Sequence, residues 1–163
     1  MLRESLAAGH GLLDLSAPET LPVVSVVSVA AVREPETVMT GADGDGDGDG
    51  SGEEGERYRF AADREAMKER MRVVLRVAAV NGHRRLVLGA LGCGAFRNPR
   101  GEVVRCWREV FGEGEFAGGW WERIVFAVMD GGGGGGGGGG VDAGRDGDGN
   151  FGVFWRGLDG LVV

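Results

Sequence analysis

Cysteine is nearly missing from this chain: Cys93 and Cys106 are the only two in 163 residues. Two thiols cannot make a disulfide framework, so a packed core must hold the fold, and a reducing compartment is the natural setting. Histidine is equally scarce, at His10 and His83. A cysteine nucleophile needs a base, yet His83 opens the connection into an apolar run at 86–88, at the opposite end of that run from Cys93. Cys93 is therefore read as a small residue packed in a loop, and Cys106, beside Trp107, as core or half-buried. No run approaches the roughly 18 apolar residues of a membrane span. The first twenty residues, MLRESLAAGHGLLDLSAPET, mix charges into short apolar stretches and do not resemble a signal peptide. Positive charge is short too, with 18 Lys and Arg against 25 Asp and Glu and a net charge of −7. That balance argues against nucleic acid as a partner, because such binding rests on Lys and Arg neutralising phosphates. The expectation is an intracellular protein, cytoplasmic or nuclear, with no membrane and no nucleic-acid partner.

Glycine is what the chain has in excess, 34 residues, gathered largely in two tracts that have nothing to bury. Residues 41–56 are an Asp-Gly-rich insert and residues 131–149 a poly-Gly insert, both expected to be disordered within a single domain over 1–160. What remains to form a core is on the order of 120–130 residues, a normal single-domain size. Within the first tract, DGDGDGDGSGEE fits a calcium-loop pattern from Asp43 to Glu54, and fits it again from Asp45 to Glu56. A dipeptide repeat does this by accident, and an EF-hand needs a helix on each side. No metal and no cofactor are expected.

Hydrophobic periodicity orders the rest. A short helix through Leu2, Leu6 and Ala7 is followed by residues 23–32, VVSVVSVAAV, read as a central strand buried on both faces between Pro22 and Pro35. Residues 61–80 form a helix with Met67, Met71, Val74, Leu75 and Ala78 on one stripe, stopped by Asn81-Gly82. The interleaved Arg64, Lys68, Arg70, Arg72 and Arg76 are read as the solvated side of that helix. A strand at 86–88, a helix from Pro99 to Phe111, a strand at 124–129 and a last helix through Phe151, Phe154, Trp155 and Leu158 complete the order. Trp120-Trp121 is read as packing rather than as a stacking platform. Strands alternating with helices imply an α/β fold with a mostly parallel sheet, in which ligands bind beyond the C-terminal strand ends.

The most informative stretch lies at such an end: residues 86–100, LVLGALGCGAFRNPR. An apolar strand runs into a turn built on Gly89, Gly92 and Gly94, then a helix opens at Asn98-Pro99. A glycine loop before a helix presents backbone N–H groups at the positive end of the helix dipole, a setting for phosphate. Asp130, closing the last strand, lies at the same end, where it would contact a ribose hydroxyl or cap the turn.

The runs RVAAVNGHRRLVLGALGCGAFRNPRGEVVRCWREVF, EFAGGWWERIVFAVMD and NFGVFWRGLDG resemble the microbial-type poly(ADP-ribose) glycohydrolase family, its fungal branch most. VVSVVSVAAVREPE is similar to the segment before that family's insertion. The resemblance implies a macrodomain-like, three-layer α/β/α fold, an ADP-ribose or ADP-ribosylated-protein partner, and a loop of Gly92, Cys93, Gly94, Ala95 and Phe96 around the diphosphate and distal ribose, with Gly89 in the turn leading to it. Asn98 would cap the following helix. Phe151 and Phe154 match an NFxxF segment and are not assigned to ligand. The family's chemistry sits in a triple-glycine loop and a Gln-Glu-Glu motif, and this chain has no glutamine. It looks like the C-terminal half of the family, truncated on the N-terminal side, so no catalytic residue is assigned. Glycosidic cleavage needs a positioned carboxyl group. The reading is therefore an ADP-ribose-binding-type domain that is catalytically incomplete. Two alternatives stand beside it: an active hydrolase using another carboxylate, such as Glu102 or Asp130, and an interaction module that self-associates through an exposed sheet edge.

Overall fold

The computed structural model describes Ala17, Glu19 and residues 21–40, 55–129 and 144–163. Seven elements follow one another: β1 (Thr37–Thr40), β2 (Gly55–Tyr58), α1 (Ala61–Val80), β3 (Arg85–Leu88), α2 (Arg100–Phe111), β4 (Arg123–Phe126) and α3 (Asn150–Leu158). β3 and β4 pair in parallel, Arg85 opposite Arg123 and Leu88 opposite Phe126. β1 and β2 form a separate antiparallel pair, Thr37 opposite Tyr58. This is an α/β arrangement, and its parallel ladder carries the glycine loop at its C-terminal end.

Burial explains the helices. The stripe Met67, Met71, Val74, Leu75 and Ala78 is the buried face of α1. Asn81 and Gly82 end that helix: Gly82 takes φ +75°, its N–H reaches the Ala79 carbonyl, and the His83 N–H reaches the Ala78 carbonyl at 3.0 Å. This is the paired closure that a left-handed residue permits after a helix. α2 buries Val103, Val104, Cys106, Trp107, Val110 and Phe111. Phe126 of β4 meets Trp107 edge-on at 5.7 Å between centroids and Phe154 of α3 at 5.7 Å. One face of the β3–β4 pair is thereby packed on the helices. The alternate residues Val87 and Val125 point the other way and are exposed.

Three expectations need correction. Residues 23–32 do not form a strand and are not buried on two faces: Val23 is 99% exposed and Val26 84%, and Ala31 alone is buried. A valine run becomes a central strand only where partners flank it, and no described strand pairs with it. Gly55 and Glu56, placed in the first unstructured insert, belong to β2. Residues 144–149, placed in the second, fold back onto α3, where Arg156 donates to the carbonyls of Arg145 and Gly147 and the Arg145 guanidinium lies over Trp155. The short helix near the N-terminus, and residues 41–54 and 130–143, lie outside the described residues.

The basic side of α1 is also more than a solvated face. Arg64 bonds Glu102 and Glu109, Lys68 lies 3.1 Å from Glu109, Arg72 bonds Glu113 at 2.8 Å and Arg76 bonds Glu115 at 2.7 Å. These form a ladder of ion pairs from α1 to α2 and the turn after it. The guanidinium of Arg64 holds Glu109 below the ordinary carboxylate range, Arg72 does the same for Glu65, and Arg76 for Glu115. A carboxyl whose folded pKa is depressed stabilises the fold above its unfolded pKa and loses that contribution as pH falls through the folded value. The thermal midpoint should therefore be nearly flat from pH 7 down to about 5 and fall below about 4.5, and the fall should shrink when Glu109 is replaced by Gln. Thermal scans by circular dichroism across this pH range check it.

Candidate functional site

The loop leaving β3 is folded against itself. The Leu91 N–H reaches the Gly89 carbonyl at 2.9 Å, Cys93 reaches Ala90 at 3.1 Å, Arg97 reaches Gly94 at 3.0 Å, and Asn98 reaches Gly92 at 3.0 Å. Gly92 sits at φ +75°, and a Cβ there would approach the Ala31 Cβ to 2.7 Å and the Asn98 carboxamide more closely still. Only glycine fits. Gly94 is different: it is exposed, and a Cβ would meet nothing within 4 Å.

Asn98 anchors the loop from behind. It is 4% exposed. Its Nδ2 donates to the carbonyls of Val32 at 2.7 Å, Gly92 at 3.2 Å and Phe96 at 3.3 Å, and its Oδ1 accepts from Tyr58 Oη at 2.8 Å. Burial raises the Tyr58 phenol far above its ordinary pKa, keeping it a donor. The expected helix-capping role does not occur. Pro99 occupies the N-cap of α2, no side chain caps it, and the Asn98 carboxamide is consumed by nearer partners. The Glu34 N–H adds a further tie, to the Phe96 carbonyl at 2.9 Å. Glu34 and Arg97 are the only non-glycine residues at positive φ among those described, +45° and +52°. Backbone in that region persists only where its surroundings enforce it.

In front, the loop is open. No backbone carbonyl among the described residues accepts from the N–H of Gly94, Ala95 or Phe96, and Gly94 and Ala95 are exposed. The Arg97 side chain beside them is exposed and makes no ion pair among the described residues. Of the six residues expected at the site, Gly92 and Cys93 face inward and brace the turn, Gly94, Ala95 and Phe96 carry the unpaired amides, and Gly89 joins the loop to β3.

The competing chemistries find little support. Burial pushes the Cys93 thiol up to about 12, so it is no thiolate at neutral pH. Cys106 behaves likewise. His83 lies before β3, at the far end of the strand. Glu102 is buried, but its two oxygens are each held at 2.8 Å, by Arg64 Nε and Arg105 Nε. Trp121 is buried packing, whereas Trp120 is 45% exposed under the Arg84 guanidinium; both precede β4, away from the loop. No group of three His, Cys, Asp or Glu among the described residues is placed to hold a metal. Asp130 and the Asp43–Glu54 pattern lie outside the described residues. Sequence reasoning missed Tyr58, the Val32 carbonyl and Glu34 as parts of the site. One signal was available for Tyr58: it is the single tyrosine of the chain.

The class this geometry defines is an α/β domain with a glycine loop braced at the C-terminal end of a parallel strand and amides presented outward. No protein-family model matches the sequence, and no curated protein matches it. Among solved structures the chain is similar to the poly(ADP-ribose) glycohydrolase of Deinococcus radiodurans in complex with ADP-ribose, at 37% identity over 62% of this chain and 35% of that one, with a TM-score of 0.48. It is also similar to the poly(ADP-ribose) glycohydrolase of Thermomonospora curvata bound to the inhibitor ADP-HPD, at 30% identity over 60% of this chain and 32% of that one, with a TM-score of 0.47. The chain thus spans about a third of the length of these proteins.

The bracing makes a graded prediction. Tyr58→Phe removes one buried hydrogen bond and should cost about 1 kcal/mol, whereas Asn98→Ala leaves a phenol and several carbonyls unpaired and should cost about 2–3 kcal/mol. Gly92→Ala should be at least as damaging as Asn98→Ala. Urea unfolding of the three variants checks the order.

Proposed function

We propose that this chain binds ADP-ribose, free or carried on a modified protein, with the diphosphate held by the loop from Gly92 to Phe96. The observation that carries this reading is the set of N–H groups at Gly94, Ala95 and Phe96 that find no backbone partner among the described residues, on a loop braced by the buried Asn98. Backbone amides fixed in this way meet anionic oxygens without reorganising, and charge-assisted hydrogen bonds of that kind are about twice as strong as neutral ones. Arg97, next in sequence, is exposed and makes no ion pair among the described residues. In a chain of net charge −7 the attraction for a polyanion is local to this loop, which favours a small diphosphate ligand over nucleic acid. The motif wording LVLGALGCGAFRNP supplies the rest of the argument, since it resembles the microbial-type poly(ADP-ribose) glycohydrolases. The likeness to the fungal branch, and to the C-terminal half of such proteins, belongs to the same reading.

The same reading holds that the chain binds without turning over. An oxocarbenium-like transition state requires a carboxyl group free to give or take a proton at the anomeric centre. Glu102, the buried carboxylate nearest in sequence to the loop, is clamped by two arginines, and the sequence holds no glutamine from which the Gln-Glu-Glu motif could be made.

Thermal unfolding with and without millimolar ADP-ribose tests both parts. A ligand that binds only the native state stabilises it by RT ln(1 + [L]/Kd), about 2.7 kcal/mol at a hundredfold excess over Kd, which is a rise of several degrees. Gly94→Val has room for its side chain, so it should keep the unliganded midpoint and lose the rise. A cooperative transition unmoved by ADP-ribose contradicts binding. Release of ADP-ribose from poly(ADP-ribose) by the purified chain contradicts the absence of turnover.

A further inference from the structure

Away from the glycine loop, residues 23–27 (VVSVV), at the start of the segment 23–29, and strand β3 both wall a groove of about 680 Å³, with Val74 and Ala78 of α1 also lining it. Both walls are unpaired backbone. β3 turns one edge to β4, where the Glu122 N–H reaches the Arg84 carbonyl at 2.9 Å and the Ala127 N–H reaches the Leu88 carbonyl at 2.8 Å. Because partners alternate along a parallel ladder, the N–H and C=O groups of Arg85 and Val87 face the groove, and no second strand pairs with β3 among the described residues. Across the groove, residues 23–29 make no backbone–backbone hydrogen bond among the described residues.

A slot bounded by two bare backbone edges has one kind of complement, an extended chain offering N–H and C=O groups alternately on both of its sides. The walls are valine-rich, so the complement should be β-branched and apolar. The protein carries such a segment itself. Residues 23–29 are unpaired on both sides among the described residues and contain two strongly exposed valines, Val23 at 99% and Val26 at 84%. We propose that two copies of this chain associate about a two-fold axis by exchanging residues 23–29, each segment entering the groove of the other copy. The strand order becomes β4, β3, partner segment, own segment, partner β3, partner β4. This order is self-consistent: the strand that fills one groove is the wall of the other, so both fill at once and no bare edge remains inside. Closure at two follows, as an isologous contact requires. Seven residues extend about 23 Å, enough to cover the whole of the four-residue β3. The exchange is independent of the ligand reading, since it uses neither the glycine loop nor Asn98.

Light scattering coupled to gel filtration, together with amide hydrogen exchange on the full chain, tests it. The expected mass is twice the 17.0 kDa of one chain, with residues 23–29 and 85–88 becoming protected together as concentration rises. Val26→Asp alters a side chain that is exposed in the single copy, so it should leave the helical circular dichroism unchanged and shift the mass to one chain. A single-chain mass at hundreds of micromolar overturns the proposal, as does a larger open assembly, a dimer in which 23–29 exchanges freely, or a Val26→Asp dimer. A monomer that protects these amides only when a synthetic peptide of residues 21–29 is added also overturns it, in favour of a strand supplied by another protein.

Discussion

The carboxamide of Asn98 is bonded to four residues on three stretches of chain: Tyr58 at the end of β2, Val32 in the segment before β1, and Gly92 and Phe96 in the loop itself. A buried amide left unpaired is penalised by about 1–3 kcal/mol for each group lost, so these partners are mutually required. Proline at 99 disfavours helical dihedrals at residue 98 and holds it extended, which lets the side chain turn inward instead of capping α2. The antiparallel pair β1–β2 is anchored through Tyr58, and the loop is pulled flat enough at Gly92 that no other residue fits.

That constraint bears on how the proposed site would work in an acidic chain. The hydrogen bonds that brace the loop use the carbonyls of Gly92, Gly94 and Phe96 and the amides of Cys93, Arg97 and Asn98. The amides of Gly94, Ala95 and Phe96 take no part in this bracing among the described residues. On the proposed reading, attraction for an anion there would come from oriented backbone dipoles, not from accumulated lysine and arginine. Arg64, Arg72 and Arg76 are engaged in the ladder from α1 to α2, and Arg108 and Arg156 in bonds to backbone carbonyls around α3. Arg97 is kept apart from them by its own left-handed backbone. On the proposed reading, such a loop would meet an anion through backbone amides without itself supplying a proton.

Much of the fold was legible because it is local. The stripe of α1, the Asn-Gly stop, the apolar face of α2 and the helical spacing from Phe151 to Leu158 are each written within one or two turns of chain, and the elements stand where the spacing puts them. The parallel pairing of β3 with β4 follows from their separation by a helix. What was not legible depends on distant partners. β1 and β2 are four residues each, flanking a tract of Asp and Gly, and are tied to the site by the bond from Tyr58 to Asn98 forty residues on. Residues 23–32 have the composition of a buried strand, but burial is decided by neighbours that the composition cannot name. At the site the glycines were legible and the brace was not, since an asparagine beside a proline reads equally well as a cap.

The most direct measurement is a ¹H–¹⁵N NMR titration of the purified chain with ADP-ribose, with adenosine as the control lacking a diphosphate. The account predicts that ADP-ribose shifts the backbone amides of Gly94, Ala95 and Phe96 most, and that adenosine leaves them in place. Unmoved loop amides, or equal shifts with adenosine, would contradict a diphosphate held by this loop.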